Sequence, residues 1–127
     1  MNTLSRSCWI ASALYLTIGM GLGIYMGIAQ DHTLAPAHAH LNLVGGVLLA
    51  LFGAYYAITS GSGIRRLGVI QVVVANLAVL TLAPGIALAV QGEGEGLAIV
   101  GSLLALSSML LFLTVVATQP RPVPVSA

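Results

Sequence analysis

Apolar residues fall in four blocks of about twenty, separated by three short polar breaks. The blocks run roughly over Trp9–Ala29, Ala39–Thr59, Leu67–Val90 and Leu97–Thr118. At a rise of 1.5 Å per residue, about 20 apolar residues cross the hydrocarbon of a bilayer, so each block predicts a transmembrane helix. The breaks read "QDHTLAPA", "SGSGIRR" and "QGEGEG", all of turn composition. Pro36 suits the first turn of the second helix, where its missing N–H leaves no donor unpaired. The last stretch, 119–127, reads "QPRPVPVSA" and cannot continue a helix, which predicts a flexible tail. Residues 1–127 are therefore expected to form a single four-helix, all-α membrane domain.

Composition excludes the other classes. The chain is 58% hydrophobic and 6% charged, with a mean hydropathy of +1.04, whereas soluble domains are about a quarter charged. The first block, about twenty residues long and holding Gly19, Gly21, Gly23 and Gly27, is expected to be a retained helix and not a cleavable signal. Cys8 is the only cysteine, so an internal disulfide is excluded and a buried, inert thiol is expected. Net charge is +1 and no basic patch speaks for nucleic acid. "QGEGEG" lacks the lysine and the strand-to-helix context of a phosphate loop.

Charge sets an orientation. Arg6, Arg65, Arg66 and Arg121 fall at one end of a four-helix arrangement, and Asp31, Glu93 and Glu95 at the other. The excess of arginine predicts cytoplasmic termini, which puts the break containing Asp31 on the outer, periplasmic side.

Small residues recur at four-residue intervals: Gly19, Gly23 and Gly27; Gly46, Ala50 and Ala54; Gly101, Ala105 and Ser108. Such stripes let helices approach closely, and they hint at a homo-oligomer. Pro84 is predicted to kink the third helix and free a carbonyl near Leu80. Gln71 and Asn76 are its polar residues, expected to hydrogen-bond between helices.

All three histidines lie together: His32 in the first break, then His38 and His40 in "PAHAHLNLVGG". A helical residue turns by about 100°, so His38 and His40 project about 200° apart and cannot chelate one ion from one face. His38 and Asn42, four apart, share a face. Three readings follow. Interfacial histidines can simply bond loop carbonyls and headgroups. Asp31, His32 and one helix histidine can hold copper or zinc, with Met20 and Met26 as soft candidates for Cu(I). Alternatively, imidazoles from facing helices can hold haem. A channel lined by Asn42, Gln71 and Asn76 ranks last, since the central region has no ionisable group. Nucleophilic catalysis has no histidine near the helix-four serines.

The stretch "AHAHLNLVGG", followed by "LFGAYY", resembles the core helices of heme-copper oxidase subunit I, especially of C-type oxidases and nitric oxide reductases. His38-Ala39-His40 is similar to that superfamily's His-x-His pair, whose members bind two different haems. His40-Leu41-Asn42 with Gly53-Ala54-Tyr55-Tyr56 is similar to a second histidine helix. The chain looks like a short four-helix relative of that subunit carrying the "HAHLNLxG" motif, with Gly46 where tryptophan is usual. The resemblance covers the second helix. It implies one four-helix arc of a subunit built from three such arcs, hence a homotrimer in a prokaryotic cytoplasmic membrane.

It further implies a cofactor, b-type haem, with His40 of one protomer and a neighbour's histidine, His38 by preference, as ligands to the iron. Asn42 would lie beside them, and His32 is a further candidate ligand or a partner for the haem propionates. The role implied is electron transfer or binding of a small gas (NO or O2), with the redox partner open. The same histidines make a periplasm-facing copper or zinc protein the alternative. Too few histidines are present for a haem-copper centre, so a complete oxygen reductase is excluded for this chain alone.

Overall fold

A computed structural model describes residues 1–59 and 62–119, with only the backbone given for 62–64. It contains four helices, each long and apolar enough to cross a bilayer: α1 (Thr3–Ala29), α2 (Ala35–Ile58), α3 (Ser62–Val90) and α4 (Gly96–Ala117). An all-α, four-helix architecture is thus present, of the kind an integral membrane protein requires.

Three helices start several residues before the apolar blocks do. Asn2 caps α1 by accepting from the Ser5 N–H at 2.8 Å, which extends the helix over polar residues hydropathy leaves out. Pro36 sits in the first turn of α2. Arg65 and Arg66 belong to α3 rather than to a loop, because arginine is a good helix former although it is not apolar. The tail from Pro120 onward lies outside the described residues.

The turns have specific chemistry. α1 ends on Gln30 in the left-handed region, at φ 52°. The Asp31 carboxylate then accepts from the Thr33 N–H at 3.0 Å and the Thr33 hydroxyl at 2.6 Å, closing a tight turn. Between α3 and α4, Gly92 and Gly94 take positive φ of 78° and 109°, which only glycine adopts without strain.

α1 packs antiparallel on α2 along a seam of small residues. Ser5 Oγ donates to the Gly53 carbonyl and Ser12 Oγ to the Gly46 carbonyl, both at 2.8 Å. Both pairs step by seven residues, so the α2 contact face runs Gly46, Leu49, Gly53. Ala54 of the expected stripe is turned outward. The cause is the α-helical angle: seven residues from Gly46 complete nearly two turns at Gly53, while Ala54 lies about 80° round from Gly46.

α3 packs mainly on α4. A Cβ at Gly85 would come within 2.4 Å of the Ala98 nitrogen, and one at Gly101 within 2.5 Å of the Leu82 backbone, so the two crossings require glycine. A buried chain of bonds ties three helices: Tyr56 Oη donates to Gln71 Oε1 at 3.1 Å, and Gln71 Nε2 donates to Ser108 Oγ at 3.0 Å. Tyr15 Oη donates to Asn76 Oδ1 at 3.0 Å, joining α1 to α3. Phe112 of α4 stacks on Phe52 of α2 at 4.6 Å. Gln71 and Asn76 thus make the interhelical bonds their positions predicted.

Cys8, Leu49, Phe52, Tyr56, Val72, Ala75 and Val115 form the core, at the end carrying Arg6 and Arg65. Cys8 is fully buried, as expected of an inert thiol. Many larger apolar side chains point outward instead, Ile24 and Ile28 among them. In water that would be ruinous, but against lipid tails it costs nothing.

Candidate functional site

The three histidines occupy the end of the molecule opposite Arg6, Arg65 and Arg66, with Asp31, Glu93 and Glu95. Each histidine has a different environment. His32 is exposed in the turn between α1 and α2. The adjoining Asp31 carboxyl is held below its usual range, chiefly by the Thr33 hydroxyl, then by the Thr33 N–H, with a smaller contribution from His32. It is a fixed negative charge at this rim.

His38 is half-buried and faces α1. A Cβ at Gly23 would lie 3.0 Å from His38 Cε1, so the imidazole uses the space left by that glycine. Asn42 Nδ2 donates to His38 Nε2 at 3.2 Å. The Asn42 side chain itself presses into α1: a Cβ at Gly19 would lie 1.8 Å from Asn42 Oδ1. That oxygen is buried and has no hydrogen-bond partner. His38 and Asn42 therefore form an inward polar pair seated on Gly19 and Gly23.

His40 faces the other way, as the helical angle requires, and is exposed. Its Nδ1 lies 2.8 Å from the Pro36 carbonyl oxygen, one turn earlier. A carbonyl only accepts, so Nδ1 carries the proton and Nε2 presents a lone pair. This is how metal-ligating histidines are commonly oriented. A π-helical segment begins at the next residue, Leu41, and π-windings are frequent at functional sites. Below His40, at spacings of three and four, Leu43, Val47 and Leu51 are exposed as well.

No family model, curated protein or solved structure matches this chain.

Among the described residues, no group of three or more His, Cys, Asp or Glu side chains converges to hold a metal ion. Met26 is buried in packing and Met20 points outward. His38 and His40 are not brought together, and to face a neighbouring chain His38 would have to leave Asn42. One cleft, of about 270 Å³, lies between α1, α2 and α3 and includes none of the histidines. It falls below the range of about 300–1,000 Å³ usual for ligand pockets, so a porphyrin does not fit inside it. What the chain offers a haem is an oriented imidazole on its outer surface above an apolar stripe.

The sequence placed His38 and Asn42 on one face of the second helix and His40 on the other, as the structure has them. Sequence reasoning missed the Pro36 carbonyl as the group that orients His40, although the four-residue spacing was readable. It also missed Gly19 and Gly23 as seats for Asn42 and His38, because their partners lie on another helix.

Proposed function

We propose that this chain is a b-type haem-binding integral membrane protein in which the His40 imidazole would ligate haem held between protomers. Its role is electron transfer or the binding of a small gas, NO or O2. The observation supporting this most directly is the His40 ring: exposed, with Nδ1–H engaged by the Pro36 carbonyl and Nε2 unengaged.

When bound, haem supplies an iron that exchanges one electron or holds a diatomic molecule at a free coordination position. The chain's own residues do the rest. The Pro36 carbonyl fixes the ring tautomer and raises the basicity of Nε2. His38 and Asn42 fasten the first turns of α2 to α1 and so position His40. Leu43, Val47 and Leu51 provide an apolar wall below it. Arg65 and Arg66 stand at the far end and are exposed there, so propionates at the histidine end would meet His32, Thr33 and water.

A homotrimer is the assembly the resemblance implies, each copy offering His40 to an interface. Purified in detergent, the protein is expected to show a Soret band that sharpens on dithionite reduction, and His40→Ala is expected to abolish it. Colourless protein from a host with full haem supply would reject the proposal. Copper or zinc bound in stoichiometric amounts to such colourless protein would favour the metal-binding alternative.

A further inference from the structure

Arg6, Arg65 and Arg66 are exposed at one end of the bundle. The acidic side chains, Asp31, Glu93 and Glu95, all lie at the other. Arg6 and Asp31 stand at opposite ends of α1, on the order of 35 Å apart at about 1.5 Å per residue. Exposed charges are screened within about 8 Å at physiological salt, so no Asp or Glu of the chain offsets the arginines. The two helices that carry them start side by side: a Cβ at Gly68 of α3 would lie 3.0 Å from Leu4 Cδ2 of α1.

Each arginine stands next to exposed apolar side chains one turn further into the span. In a helix, residues three and four apart share a face. Trp9 and Ile10 follow Arg6 at those spacings, and Val69 and Ile70 follow Arg66, with Val69 also four beyond Arg65. All four apolar residues are exposed, on helices long enough to cross a bilayer. The same strip of surface thus offers cations at its end and hydrocarbon contact just inside. The aliphatic stem of arginine lies along such a strip while its guanidinium reaches the headgroup level.

The occupant must join an anion to hydrocarbon. Nucleic acid or a soluble acidic protein supplies the anion without hydrocarbon at membrane depth. Phosphatidylcholine supplies both, but its own ammonium offsets its phosphate. We infer that these strips bind anionic phospholipids of the leaflet at the arginine end. The guanidinium fork holds headgroup phosphate oxygens, and an acyl chain lies on Trp9 and Ile10 or on Val69 and Ile70. The selection is independent of the haem reading, whose ligand His40 stands at the opposite end, so colourless protein would show it equally.

The test is headgroup selection. The protein is reconstituted into vesicles of equimolar dioleoyl phosphatidylglycerol and dioleoyl phosphatidylcholine, then extracted in mild detergent. Mass spectrometry quantifies the lipid it retains. Wild type is expected to hold phosphatidylglycerol in several-fold excess, the scale on which a few basic residues act at an anionic surface. The combined variant Arg6→Gln, Arg65→Gln, Arg66→Gln is expected to hold the two lipids in about the mixing ratio, with its helicity by circular dichroism unchanged. Wild type that retains both lipids equally would overturn the inference without reference to any variant, and would leave the arginines to a soluble acidic partner. An undiminished preference in the folded triple variant would also overturn it. So would loss of the preference when inorganic phosphate replaces chloride at constant ionic strength, which would assign the arginines to free phosphate.

Discussion

His40 Nδ1 and the Pro36 carbonyl oxygen lie 2.8 Å apart, one helical turn from each other, and only the imidazole can donate. The pairing leaves Nε2 free at an exposed position, so the ligand site is open from outside the protomer. His40→Gly should therefore lose haem yet recover it when free imidazole is added, because a small ligand can enter the vacated space. Titrating imidazole into the variant with haem, followed at the Soret band, checks this. Recovery in His38→Gly but not in His40→Gly would reverse the assignment.

Asn42 lies directly against Gly19 of α1. At Gly19 a Cβ would meet Asn42 Oδ1 at 1.8 Å, whereas at Gly21 it meets nothing within 4 Å. Gly19→Ala should destabilise the protein by about 1–3 kcal/mol through overpacking. Gly21→Ala should stay within about 0.5 kcal/mol of wild type. Both are read from loss of helicity on titration with sodium dodecyl sulfate.

Gln71 links Tyr56 of α2 to Ser108 of α4 and is fully buried. Gln71→Leu leaves the Tyr56 hydroxyl without its acceptor, while Ser108 Oγ keeps only its bond of 3.4 Å to the residue-71 main-chain carbonyl. Interhelical bonds in bilayers contribute about 0.6 to 1.7 kcal/mol, so a loss of that size is expected. A double-mutant cycle with Ser108→Ala should give a coupling of similar size. Additive losses would show that the bond contributes nothing.

Much of the fold was legible because spanning helices announce themselves through length and apolarity. Their starts were less so: Asn2 capping and the helical Arg65 and Arg66 depend on hydrogen bonding and propensity, to which hydropathy is blind. The opposed directions of His38 and His40 follow from the helical angle and were readable. The π-winding over Leu41–Leu48 was not. The seating of His38 on Gly23 was also invisible, since the pairing of α1 with α2 fixes it in three dimensions.

Cys8 is completely enclosed between helices. It should resist a membrane-permeant maleimide in the folded protein and react fully after denaturation. Mass spectrometry reads the difference, and rapid labelling of native protein would contradict the packing of α1.

The central claim is that the free Nε2 of His40 holds haem iron. The most direct measurement compares oxidised and dithionite-reduced optical spectra of wild type, His40→Ala and His38→Ala, all purified from a haem-sufficient host. The account predicts a Soret band in wild type and in His38→Ala, and its disappearance in His40→Ala. An unchanged band in His40→Ala, or no band in wild type, would contradict it.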